Sequence, residues 1–347
     1  GATLLRKGHR PYMSLPEFKA AMDFKADIVV IHLGLNDTDP RNWPNYRQEF
    51  IGDYYALIDS MKVANPKAQI WICKMTPISH DHPRFLSGTR DWHAQIQQAI
   101  ETVAKGSNSK LIDLFKPFHQ RYDLFPDALH PNVEGARLLA EIVYAHITGN
   151  FGELSMPAFY SDNMVIQRDQ PITISGRANA GEQIKVKLAN QKAKAITASD
   201  GSWKVELDAM PAGGPYQLVI KAESAVKEYN NIWLGDLWLC SGQSNMEMPV
   251  AGWGKVLNYE SEIESSWHPT IRLFQVKKAT SLVPMETGES TMGGWKECSP
   301  KSVPEFSALA YFASPNQTVA APWSSHNYYY RGGACFNQYR PDHSAQC

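Results

Sequence analysis

The segment Asp27-Ile-Val-Val-Ile-His-Leu33 constrains the fold more than any other part of the chain. It is a continuous β-branched apolar run with no polar face to turn toward water. That pattern suits a parallel strand covered on both faces rather than a half-exposed strand with alternating character. Gln69-Ile-Trp-Ile-Cys73 and Lys110-Leu-Ile-Asp-Leu114 read the same way. Between these runs, Tyr46 to Ala64 and Thr89 to Lys105 place apolar residues at helical spacing, with Asn65-Pro66 and Gly106 as stop signals. Strand and helix therefore alternate, which predicts an α/β fold with a doubly wound parallel sheet. A last helix over Val133 to Ile147, opened by Pro131-Asn132 and closed by Gly149, ends this first module at residue 149.

The texture changes after Asn150. Short alternating runs at Met164 to Arg168, Ile172 to Ser175, Ile184 to Leu188, Trp203 to Leu207 and Tyr216 to Ile220 are separated by turns such as Ala180-Gly181-Glu182 and Ala212-Gly213-Gly214-Pro215. That spacing predicts a β-sandwich over 150–232. From Trp233 a buried strand, Trp-Leu-Gly-Asp-Leu-Trp-Leu-Cys240, runs straight into Ser241-Gly-Gln-Ser-Asn-Met246 and starts a second α/β module over 233–313. Residues 314–347 show no period and receive no assignment.

Lys plus Arg number 34 against 35 for Asp plus Glu, a net charge of -1, so no long-range field favours nucleic acid or an anionic membrane. No stretch approaches the roughly 18 consecutive apolar residues that a transmembrane helix needs. The 5 cysteines, Cys73, Cys240, Cys298, Cys335 and Cys347, lack C-x-x-C spacing, which argues against a zinc site or a disulfide framework. No targeting signal is visible at Gly1-Ala2-Thr3, and the compartment stays open.

In an open α/β sheet, ligands sit beyond the carboxyl ends of the strands, so the loops just after strands are where chemistry is expected. The first such loop is Gly34-Leu35-Asn36-Asp37, whose Asn36 amide can donate to a developing oxyanion; the plainer alternative is an Asn-Asp turn. The second is Phe125-Pro-Asp-Ala-Leu-His-Pro-Asn132, where Asp127 and His130 are spaced so that the carboxylate can orient the imidazole as a general base. A plain surface Asp-His pair is its alternative. The third is Gly242-Gln-Ser-Asn-Met246, which presents Ser244 on a strand-to-helix turn as a nucleophile would be presented. Met246 occupies the second glycine position of the usual G-x-S-x-G elbow, so the motif is not that elbow. Ser79-His-Asp-His82 reads as a solvated loop rather than a metal site, and Trp253 is as fit for a core or edge position as for stacking on a sugar.

Taken together these blocks resemble the SGNH (GDSL-like) hydrolases, whose fold is a flavodoxin-like doubly wound sheet. The resemblance implies that Asn36 serves an oxyanion hole and that Asp127 and His130 are triad acid and base. Gly1-Ala2-Thr3 is similar to the end of that family's second block, which implies that Gly1 donates a backbone oxyanion hydrogen bond. The Gly-Asp-Ser nucleophile block is expected upstream of Gly1. From about Leu154 onward the chain resembles a sialate O-acetylesterase, on Phe159 to Arg168, Gly213 to Tyr216, Gly235 to Met246 and Trp295 to Phe312. That resemblance makes Ser244 the nucleophile of a second SGNH-like domain, with its own Asp and His expected far beyond residue 312; Asp342-His343 lacks the spacing. The expected activity is removal of O-acetyl groups from a carbohydrate, sialic acid or a plant polysaccharide, by a Ser-His-Asp mechanism with no metal or organic cofactor. Both halves are expected to be incomplete, with three readings open: an esterase weakened or dead in this form, a composite site in which His130 serves Ser244, and a non-enzymatic carbohydrate-binding role for the sandwich. Export to the periplasm or beyond is the direction in which the resemblance points.

Overall fold

The computed structural model describes residues 1–78, 89–119, 121–254, 256–278, 289–316 and 327–331. Ser79 to His82, Cys335, Asp342-His343, Cys347 and most of the tail lie outside them. The chain divides into two compact units, Gly1–Ile147 and Thr148–Cys347.

The first unit runs α1 (Pro16–Phe24), β1 (Ile28–Ile31), α2 (Trp43–Tyr46), α3 (Phe50–Ala64), β2 (Gln69–Cys73), α4 (Thr89–Gly106), β3 (Lys110–Ile112) and α5 (Val133–Thr148), whose last residue passes into the second unit. Its three strands form a parallel sheet in the order β1-β2-β3, with Ile28 opposite Gln69 and Trp71 opposite Lys110. Alternation along β2 divides the core in two. Ile70 and Ile72 point to one face and pack with Phe50, Tyr54, Leu57, Ile58 and Met61 of α3 and with Ile96, Ile100 and Val103 of α4. Trp71 and Cys73 point to the other face, where Ile112, Leu114 and α5 residues Leu139, Ile142 and Val143 meet them. Each fully buried Ile or Leu here contributes about 1.5–3 kcal/mol. Helices on both faces of a parallel sheet make the doubly wound fold that the strand spacing predicted.

One expectation fails in part. The run at Asp27–Leu33 reads as covered on both faces, yet Ile28 and Val30 are 43% and 39% exposed. Val30 lies opposite Trp71, so it shares the face that α5 covers. The α5 cluster is confined to β2, β3 and their flanks, and β1 stands at the sheet edge beyond it. Beside this edge an open groove of about 690 Å³ is lined by Phe24, Ile28, Val30 and their neighbours.

The second unit opens with β4 (Val165–Gln167), β5 (Ile172–Arg177), β6 (Gln183–Leu188), β7 (Gln191–Ile196), β8 (Ser202–Leu207), β9 (Gly213–Lys221) and β10 (Val226–Cys240). Strands β10, β9, β6 and β7 are neighbours in that order within one sheet, and β5 pairs with β8 in a second. Ile172, Ile174, Val205 and Leu207 from the small sheet share a core with Ile184, Val186, Leu218 and Ile220 from the large one, which is the sandwich. The long strand β10 pairs with β9 through Leu234 and continues to Cys240, so residue 232 lies within a strand rather than between elements. Beyond it come α6 (Ser244–Glu247), α7 (Tyr259–Glu264), β11 (His268–Gln275), β12 (Lys296–Cys298), α8 (Ala308–Asn316) and β13 (Asn327–Arg331), the last lying parallel to and between β10 and β11. Val250, Ile271, Leu273, Val303 and Phe306 form this region's core. Phe274 and Trp295 join the sandwich core, so the two parts of the second unit share packing.

Candidate functional site

The Asn36 loop leaves the end of β1 through Gly34, whose φ of 124° lies where L side chains rarely go. A Cβ there would also stand 3.0 Å from Met75 Sδ and 3.1 Å from Ile96 Cγ2. The tight exit drops Leu35–Thr38 into a single 3-10 turn that presents Asn36. Asn36 Nδ2 donates to the Ala2 carbonyl at 3.0 Å, and the Asn36 carbonyl accepts from Asn42 Nδ2 at 2.8 Å. A Cβ on Gly1 would collide with the Asn36 side-chain amide, so only glycine allows this approach. The structure thus brings Gly1 and Asn36 together.

What holds the first residues on this loop is Asp37. Its side chain is fully buried and accepts the backbone N–H of Leu4 at 2.9 Å and of Leu5 at 2.8 Å. Burial pushes this carboxyl up to about 7, against the opposing pull of the two N–H donors. Asp53 continues the tether by accepting Arg6 N–H at 2.8 Å. Sequence reasoning gave Asp37 only a turn-forming part; its position directly after Asn36 at the mouth of an apolar strand was the available signal.

The second pair sits before α5. Asn132 Oδ1 accepts Gly135 N–H at 2.9 Å and caps the helix, while its Nδ2 donates to the Asp123 carbonyl at 3.0 Å. The loop turns at Ala128, with φ 66°, and folds Asp127 back on itself. Asp127 Oδ1 accepts the backbone N–H of His130 at 2.6 Å and of Leu129 at 3.0 Å, and Oδ2 lies 2.7 Å from His130 Nδ1. The His130 backbone N–H, its ring, and Leu129 N–H together hold the Asp127 carboxyl well below the usual carboxylate range. Both side chains are largely exposed, at 54% and 73%, so the pair contributes little to stability. What it does is orient: Nδ1 is engaged and Nε2 points elsewhere, the arrangement a general base requires. No hydrogen bond among the described residues joins this pair to Asn36 or Gly1.

Ser244 stands in the second unit. Strand β10 ends at Cys240, and Gln243, in extended conformation, starts the one-turn helix α6 with Ser244 as its first residue. The Gln243 carbonyl accepts from Met246 and Glu247 at 2.9 and 3.1 Å, and Ser244 is exposed. This is the strand-to-helix presentation that the sequence suggested. Trp253 nearby in sequence is 70% exposed.

A clamp not suggested by the sequence holds the loop after β2. Gln97 of α4 accepts Met75 N–H at 2.9 Å and donates to the Met75 carbonyl at 3.0 Å. One turn earlier, His93 Nε2 lies 3.0 Å from the Thr76 carbonyl, which fixes Nε2 as a donor, and burial lowers the ring's proton affinity. Because Met75 also packs on Gly34, α4 braces both strand-end loops.

Residues 2–138 match the model of the GDSL-like lipase/acylhydrolase family. Over that stretch the chain is similar to that family. The GDSL-like region contains Asn36, Asp127 and His130, and it has the fold of the family. Over 163 residues the chain is 34% identical to an acetylxylan esterase of Xylanibacter ruminicola, covering 42% of this chain and 33% of that protein. It is 28% identical over 159 residues to a sialate O-acetylesterase of Rattus norvegicus, covering 42% of this chain and 28% of that one. The match thus spans a third or less of the length of these curated relatives. A solved carbohydrate acetylesterase from Xanthomonas citri superposes with a TM-score of 0.46 at 28% identity, over 52% of this chain and 40% of that one.

Proposed function

We propose that the chain works as a serine esterase that removes O-acetyl groups from carbohydrates, with Asp127 and His130 as the acid–base pair. The observation that carries this reading is the 2.7 Å contact between Asp127 Oδ2 and His130 Nδ1, inside a region of GDSL-like type. In the proposed reaction a serine Oγ attacks the acetyl carbonyl while His130 Nε2 takes its proton. Asn36 Nδ2 and the Gly1 backbone N–H hold the oxyanion, each donor worth roughly 10²–10³ in rate. Collapse expels the sugar hydroxyl, which receives its proton from His130, and water then releases acetate from the acyl-serine. Ser244 is the nucleophile assigned to the second SGNH-like module, over 233–313, behind a sandwich at 150–232. The acetylated substrate of choice is a sialic acid or a plant polysaccharide, on the analogy of the sialate O-acetylesterase and acetylxylan esterase relatives.

The test is hydrolysis of an aryl acetate by the purified chain beside its Ser244→Ala and His130→Ala variants. Loss of turnover in both variants supports catalytic roles for both residues. Loss with His130→Ala alone supports the acid–base role and removes Ser244 from it. Turnover that survives His130→Ala, or an inert parent chain, overturns the catalytic reading of these residues.

A further inference from the structure

The sandwich carries a charge pattern that stability does not explain. The burial pattern of β6 alternates strictly, with Ile184, Val186 and Leu188 in the core and Lys185 and Lys187 exposed. On β7 the outward positions are Lys192 and Lys194, and on β9 Lys221 is exposed. Pairing puts these five side chains on one face. Lys194, Lys185 and Lys221 lie directly opposite one another across three strands, and Lys192 lies opposite Lys187 in the next row. Adjacent rows of such a grid are about 7 Å apart and adjacent columns about 5 Å apart.

Like charges directly opposite one another destabilise a sheet. None of the five lysines forms a salt bridge with an acidic group among the described residues. Glu228, the one acid in these rows, lies opposite Val219 and accepts from Gln217 Nε2 at 3.3 Å. Lysine on an edge strand guards against strand addition, which accounts for Lys192 and Lys194 on β7. It does not account for Lys185, Lys187 and Lys221, which stand on strands paired on both sides. In a chain whose net charge is -1, this is a local concentration of positive charge, five lysines against the single Glu228 in the same rows.

We infer that the outer face of β6, β7 and β9 binds a carboxylate-bearing polysaccharide, through the grid of Lys185, Lys187, Lys192, Lys194 and Lys221. The choice of a carbohydrate polymer rests on the esterase reading above; the choice of an anionic one rests on the grid. Every cation is a lysine, a compact point charge that meets single anionic groups along a polymer without imposing the bidentate geometry of an arginine fork. The outward positions in these rows carry lysine, valine and glutamate but no aromatic ring, so there is no stacking platform for bases or for a neutral sugar. The surface would hold an acidic chain by charge while the acyl groups are processed elsewhere.

The experiment is equilibrium binding of the full chain to polygalacturonate at low and high salt, beside neutral xylan, a DNA duplex and phosphatidylserine vesicles. The parent chain is expected to bind polygalacturonate in a salt-dependent manner and to bind neutral xylan at least about tenfold more weakly. The triple variant Lys185→Gln, Lys187→Gln, Lys221→Gln is expected to lose about tenfold or more in affinity and to flatten the salt dependence by about two to three counterions. Lys301→Gln, exposed and outside the grid, is expected to bind as the parent does. The triple variant removes only opposed like charges, so its melting temperature should not fall, which separates lost binding from lost folding. Equal binding to xylan, unchanged binding by the triple variant, or preference for DNA or vesicles overturns the inference. An inert esterase assay leaves the binding result standing.

Discussion

Asp37→Asn is the substitution that tests most directly how the Gly1 and Asn36 segments are held together. The Asp37 side chain has no exposed surface and accepts two buried N–H groups, from Leu4 at 2.9 Å and from Leu5 at 2.8 Å. Asparagine keeps one acceptor oxygen and places an NH₂ against the other backbone N–H. One buried donor is then unsatisfied, a loss of about 1–3 kcal/mol. The pH dependence gives a second, independent signature. Burial raises the Asp37 carboxyl from 3.8 to about 7, so between those values the folded chain holds a proton that the unfolded chain has released. Its contribution is fully present below about pH 4 and is lost as pH rises through about 7. Asparagine has no such slope. The wild type should therefore exceed Asp37→Asn in stability by the larger margin near about pH 5 and by a smaller one near about pH 8. Urea unfolding at both pH values, with hydrogen exchange of the Leu4 and Leu5 amides to localise the effect, measures both quantities. Equal midpoints, unchanged exchange at Leu4 and Leu5, or a margin that widens with pH would refute the tether.

Gly34→Ala should destabilise the first unit by about 1–3 kcal/mol, from its φ of 124° and from contact with Met75 and Ile96; thermal melting would show it. Gln97→Ala strips partners from both the N–H and the carbonyl of Met75, a predicted cost of about 2–4 kcal/mol, and faster exchange should follow in the loop after β2. Asp127→Ala should cut aryl acetate turnover by roughly 10²–10⁴ while leaving the unfolding midpoint nearly unchanged, because the exposed pair orients rather than stabilises. Near-normal turnover by Asp127→Ala would remove the carboxylate from the mechanism.

Where hydrophobic period and chain punctuation agree, the fold was legible. The β2 and β3 runs, the three long helices of the first unit and most sandwich strands lie within a few residues of the expected places. β7 escaped because Gln-Lys-Ala-Lys-Ala-Ile alternates charge with alanine, leaving little hydrophobic contrast for a period to show. The apolar run intensifies at Trp233 and so suggests a boundary at residue 232, whereas β10 passes through that point unbroken, most buried at Ile232, Leu234 and Gly235 and exposed again at Leu237–Leu239. Exposure of Ile28 and Val30 was hidden for a different reason: an apolar run reports that a strand can be covered, not which helix reaches it. At the candidate site, short spacings such as Asp127 to His130 were readable because three residues of loop limit where two side chains can go. Asp37 and Gln97 were not, since their partners are backbone groups contributed from far along the chain.

The lysine grid shows the limit of a linear reading most clearly. Lys-Val-Lys on β6 and Lys-Ala-Lys on β7 each describe an ordinary strand with one solvated face, and Lys221 alone describes nothing. Only the register, which sets Lys185 between Lys194 and Lys221, turns three unremarkable positions into a row of adjacent charges. A net charge of -1 is consistent with either a featureless surface or a concentrated one, because net charge averages over the distribution that recognition uses. What a net charge of -1 implies at long range does not extend to a ligand already in contact, within about 10 Å of the sheet, where unscreened local charge decides binding.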